Sequence, residues 1–62
     1  MKEIYLKYIA MRIQRDVWQV KNCVELFEEG CTIPFISRYR KEKTGGMDDA
    51  EVAEVKHWMD LF

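Results

Sequence analysis

Arg38, Arg40, Lys41 and Lys43 place four cations within six residues, with Tyr39 among them. Such a cluster can neutralise phosphates and stack a nucleic-acid base. Helical geometry divides it. At about 100° per residue, Arg38 and Lys41 point away from the face that holds Ile33 and Ile36, whereas Arg40 falls within that apolar arc. An arginine on an apolar arc is more often held by a carboxylate than offered to a ligand. The expectation is a division of roles. Arg40 forms a structural ion pair with an acid of the last segment, and Tyr39 packs on the core face. Arg38, Lys41 and Lys43 stay free as the candidate nucleic-acid-binding residues. For those three, plain solvation or contact with another domain is the competing reading.

The other reactive side chains form no catalytic set. His57 is the sole histidine and falls opposite Val52, Val55 and Met59 on a helix, where a solvated group is expected. Ser37 and Thr44 have no histidine at motif spacing. Asp48 and Asp49 diverge on a helix, and Asp48 is needed as a cap. Gly45-Gly46 lacks the preceding strand and the following Lys-Ser/Thr of a phosphate loop. Cys23 and Cys31 lie eight positions apart with no metal-ligand spacing, so two reduced core thiols are expected. The sequence therefore predicts no enzyme activity, no metal, no cofactor and no small-molecule substrate.

Charge is unevenly distributed. Residues 1–31 are balanced, residues 32–46 sum to +3 and residues 47–62 to −4, for a net charge of −1. That total excludes a uniformly basic nucleic-acid binder. With 62 residues the chain can form one small domain, burying only about 60% of its unfolded surface. At 48% apolar and 13% aromatic it is too hydrophobic for a solvated coil. No run approaches the roughly 20 apolar residues of a membrane span. Glu3, Lys7 and Arg12 interrupt the apolar start, which argues against a signal peptide.

Four helices must position these residues, at roughly 2–13, 16–29, 33–41 and 49–61; no alternating run predicts a strand. The first carries Ile4, Tyr8 and Met11 on one flank and Tyr5, Ile9 and Ile13 on another, so contact on two sides is expected. Asp16 reads as the N-cap of the second. There Val17, Val20, Val24 and Phe27 form a stripe with Cys23 beside it, while Trp18 and Leu26 project away. Gly30 is the expected left-handed residue after that helix. Thr32 caps the third, with Pro34 in its first turn. Asp48 and Glu51 have capping-box spacing, and Met47 could staple onto Val52. Val52, Val55, Trp58, Met59 and Phe62 then line one face, and the stripe is still running at the last residue. That pattern predicts a fragment of a longer helical scaffold, or a face that docks on another surface. Trp18, Leu26, Trp58 and Phe62 are the expected interaction surface.

The stretch EEGCTIPFISRYRKEKTGGMDD, Glu28 to Asp49, resembles the N-terminal signature of the Tex family of bacterial transcription accessory proteins. Gly30, Thr32 to Ile36, Arg38 to Glu42, Thr44 and Gly45 carry the likeness, and Ile9-Ala10 and Gln19-Val20 fit the family's opening helices. Arg15 departs from it, since relatives usually carry an apolar residue there. The resemblance implies that residues 1–62 are an all-α N-terminal helical domain of a far longer protein. In the family, a ribonuclease-H-like domain, helix-hairpin-helix units and an oligonucleotide-binding barrel complete the chain. It also implies a cytoplasmic location, the remaining domains as partners, and RNA or single-stranded DNA as a further partner. A non-catalytic scaffold or interaction module is the expected role; direct RNA or DNA contact through RYRKEK is the alternative.

Overall fold

A computed structural model describes residues 1–62 as five helices and no strand: α1 (Glu3–Ile13), α2 (Val17–Glu28), α3 (Ile33–Tyr39), α4 (Lys41–Thr44) and α5 (Asp49–Leu61). Local chemistry fixes most of the ends. Gln14 adopts a left-handed conformation after α1, so the Arg15 N–H can reach back to the Ala10 carbonyl at 3.0 Å. At the N-cap of α2, the Asp16 N–H donates to Gln19 Oε1 at 3.0 Å. Gly30 takes φ +94 and lets the Cys31 N–H bond the Leu26 carbonyl at 3.0 Å, closing α2 as expected. Thr32 Oγ1 accepts from the Phe35 N–H, with Pro34 in the first turn of α3. Asp48 and Glu51 form the expected capping box: Asp48 Oδ1 accepts from the Glu51 N–H at 2.8 Å and Glu51 Oε1 from the Asp48 N–H at 3.2 Å.

The third predicted helix is two helices. It breaks at Arg40 (φ −129, ψ 32), and α4 adds a single turn ending at left-handed Gly45. After the break α4 packs against α2.

The core is one cluster drawn from every long helix. Leu6, Ile9 and Ala10 come from α1, Val20, Cys23, Val24 and Leu26 from α2, Ile36 from α3, Met47 from the α4–α5 connection, and Val52 and Val55 from α5. One expectation about faces changes. Leu26 is buried at 6% exposure and belongs to the core, not to an outer surface. Gln19, Cys23 and Leu26 recur at i, i+4 and i+7, so α2 has a second buried strip beside Val20 and Val24; a polar Gln19 at its head conceals it in the sequence. On α1, Leu6, Ile9 and Ala10 are buried and Ile13 packs against the core. Tyr5 and Tyr8 meet rings of α5, so α1 makes contact with both α2 and α5, as expected, while Ile4 and Met11 stay exposed.

Cys23 and Cys31 are both unpaired. Burial pushes the Cys23 thiol up to about 12, which leaves it an inert core group.

Candidate functional site

The TGG turn is built from the inside. Thr44 is fully buried, and its Oγ1 accepts the Met47 N–H at 3.3 Å while donating to the Lys41 carbonyl at 3.4 Å. Gln19, buried on α2, donates from Nε2 to the Thr44 carbonyl at 2.8 Å and to the Gly45 carbonyl at 3.3 Å. Its Oε1 is the acceptor at the α2 N-cap, so one amide ties both structures together. Asn22, one turn along α2, donates to the Lys43 carbonyl at 2.8 Å. Gly45 is required twice over. Its φ is +68, and a Cβ there would lie 2.4 Å from Gln19 Nε2 and 2.9 Å from the Trp18 ring. The RYRKEKTGG segment is thus held to α2 by backbone carbonyls, leaving its charged side chains outside.

Arg15 supplies a second tie. Its guanidinium makes a bidentate pair with Glu51, with Nη2 donating to Oε1 at 2.7 Å and Nε donating to Oε2. This joins the α1–α2 corner to the first turn of α5. The Arg15 hydrogen bond is the main cause that holds the Glu51 carboxyl below the usual carboxylate range; the Asp48 N–H adds to it and partial burial opposes it. The same bond raises the Arg15 guanidinium further. Arg15 therefore sets the helix corner with an ion pair.

The cations sort differently from the expected division. Arg38, Lys41 and Lys43 are exposed. Arg38 and Lys41 share a shallow hollow with Ser37, Asp48 and Asp49; Lys43 stands apart on the α2 side of α4. Arg40 forms no ion pair. Its Nη1 donates to the Tyr39 carbonyl at 3.0 Å and its guanidinium carbon sits 5.1 Å from the centre of the Phe35 ring. The backbone break at Arg40 carries the side chain off the apolar arc before it can reach α5. Tyr39 is 62% exposed and packs against Phe35, not the core. The inner side of α3 is Ile36 with Ser37, whose Oγ donates to the Pro34 carbonyl at 3.3 Å.

Of the four residues expected to form an interaction surface, Trp58 and Phe62 lie where α1 and α5 meet, among further aromatic side chains. Tyr5 stacks on Phe62 at 4.5 Å between ring centres, and Tyr8 meets Trp58 edge-on at 5.3 Å and Phe62 at 5.9 Å. Arg12 lies 5.5 Å above the Trp58 ring. Ile4, Tyr5, Tyr8, Trp58, Leu61 and Phe62 line an open, wholly apolar groove of about 330 Å³. Within it Trp58 Nε1 is buried with no acceptor. Phe62 is half exposed, as expected; Trp58 is partly covered. Trp18 is also half exposed but lies apart, against the TGG turn. His57 is exposed and touches only the Trp58 edge.

Gln19, Asn22 and Arg15, the residues that position the basic segment and the last helix, are not evident as a group in the sequence. Their partners are backbone carbonyls and a distant carboxylate. Only Tyr5 and Tyr8, spaced to share a side of α1, could have been paired in advance with Trp58 and Phe62.

Comparison with known proteins adds a context. The profile of the Tex-like protein N-terminal domain matches residues 3–61. Protein YhgF of Escherichia coli (strain K12) is 45% identical over 56 residues, which is 90% of this chain and 7% of that protein. Transcriptional accessory protein Tex of Neisseria gonorrhoeae is 37% identical over 49 residues, 79% of this chain and 6% of the relative. S1 RNA-binding domain-containing protein 1 of Homo sapiens is 33% identical over 55 residues, 89% of this chain and again 6% of the relative. The chain therefore spans less than a tenth of the length of these curated relatives. No solved structure matches it.

Proposed function

The chain belongs to the Tex-like protein N-terminal domain family, and from that premise we propose that it is a non-catalytic helical interaction module of a longer, nucleic-acid-associated transcription accessory protein. The observation that carries this reading is the apolar groove between α1 and α5. Four aromatic rings are held against one another there and remain open on one side. Rigid aromatic side chains of this kind lose little entropy on contact and anchor interfaces. The names of the relatives, a transcriptional accessory protein and an S1 RNA-binding domain protein, supply a nucleic-acid setting for that role. No helix is long and apolar enough to cross a membrane.

The test is titration calorimetry of the 62-residue chain against the E. coli relative from which its matching segment has been removed. A one-to-one complex is expected, weakened more than about ten-fold by Tyr8→Ser or Phe62→Ser. Absence of binding, or binding indifferent to both changes, rejects the module reading.

A second reading, direct contact of the RYRKEK segment with RNA or single-stranded DNA, is favoured by the exposure of Arg38, Lys41 and Lys43. Against it, Asp48 and Asp49 line the same hollow as Arg38 and Lys41 and repel phosphate.

A further inference from the structure

We propose that the outward side of α3 is a stacking site for single-stranded nucleic acid. In it a base lies on Tyr39, and the Arg40 guanidinium, held over the neighbouring Phe35 ring, takes an adjoining phosphate. This rests on the second reading above and moves its contact away from the cations that the sequence favours.

Three observations carry it. First, Tyr39 is 62% exposed and is propped from one side by Phe35, at i−4, whose ring centre is 5.5 Å away and whose plane is tilted by 51°. Exposed rings on a helix held by its neighbours are a platform on which any base can stack. Second, Arg40 forms no ion pair and lies outside the hollow that Arg38 and Lys41 share with Asp48 and Asp49. Its guanidinium is stacked over Phe35, and only Nη1 has a partner, the Tyr39 carbonyl. The Nε and Nη2 donors remain for a phosphate, and the stack fixes their plane. Third, the charges are separated by side. Asp48 and Asp49 lie on the Arg38/Lys41 side of α3. On the Phe35 side, Glu29 borders the hollow beyond the ring, so a strand would enter from the Tyr39/Arg40 end. Residues 32–46 carry a sum of +3, which favours a polyanion over an apolar protein surface. A ring that needs a free base face favours an unpaired strand over a duplex.

The experiment is fluorescence anisotropy of labelled oligouridine and oligothymidine with the 62-residue chain at low salt. Circular dichroism checks that each variant is folded. Tyr39→Ala should weaken binding about ten-fold, with Tyr39→Phe close to wild type. Arg40→Gln should reduce the log–log salt slope by about 0.7. Arg38→Gln and Lys41→Gln should do less. If the Arg38 and Lys41 variants lose affinity while Tyr39→Ala and Arg40→Gln do not, the platform is wrong and the wider nucleic-acid reading stands. If no oligonucleotide binds, both fall. If Tyr39→Ala instead weakens the complex with the truncated relative, α3 is a protein contact and this proposal is overturned.

Discussion

The turn from Lys41 to Met47 and the groove between α1 and α5 are opposites. In the turn, polar groups are inside: Gln19 and Thr44 are buried and each has its hydrogen-bond partners within the chain. In the groove, apolar groups are outside: Phe62, Leu61 and Ile4 are all at least half exposed. A buried polar group without a partner costs more than a made hydrogen bond gains, so the turn has essentially one arrangement. An exposed ring costs little to leave uncovered and stabilises only when something covers it. The difference teaches where each region acts. The turn sets the shape of this domain, and the groove offers contact to whatever joins it.

The sharpest way to break the comparison is at the adjacent glycines. Gly45→Ala puts a Cβ against Gln19 and Trp18 at a left-handed position. It should destabilise by about 3 kcal/mol, backbone strain and a displaced amide together. Gly46 is also left-handed, at φ +89, but its Cβ would meet open space. Gly46→Ala should therefore cost only about 1 kcal/mol. Urea unfolding of both variants checks the pair, and equal losses would refute the clamp. Next, Gln19→Leu keeps the volume but strands the Thr44 carbonyl and the α2 N-cap, for a loss of about 2 kcal/mol in the same assay.

Smaller again is the Arg15–Glu51 tie, which is best read through pH. The folded-state Glu51 carboxyl is held below its unfolded value, so the folded protein binds this proton less readily. Its stabilisation is fully present above an unfolded value of about 4.3 and disappears as pH falls through the folded one. Glu51→Gln should flatten the loss of thermal stability across that acid range, and an unchanged profile would show the pair to be inert. Phe62→Ala should be mildest for the isolated domain, at about 1 kcal/mol or less, because the ring it removes is already half exposed. The same change is expected to be severe for docking. A large loss of stability without any docking defect would turn the groove into a core.

Most of the fold was legible because helices are written locally. Asp16, Gly30, Thr32, Pro34 and Asp48–Glu51 each act on backbone groups within a few residues, and their types alone place the helix ends. The aromatic stripe of α5 was legible for the same reason, since 3.6-residue periodicity needs no partner to be seen. The misreadings have one cause. Leu26, Tyr39 and Arg40 were assigned by extending a periodicity beyond where tertiary contact allows it. Gln19 gives α2 a second buried strip that takes in Leu26. The break at Arg40 ends the arc that would have held Tyr39 inward and carried Arg40 to an acid.

The sequence by itself determined that this chain is helical, where most of its helices begin and end, and which family it joins, because caps, periodicity and a long motif are properties of neighbouring residues. Only the tertiary structure decided which cations border acids, which rings form a groove, and why the turn needs glycine. Those outcomes depend on groups distant along the chain, Gln19 with Thr44 and Arg15 with Glu51, whose meeting is set by the packing of whole helices.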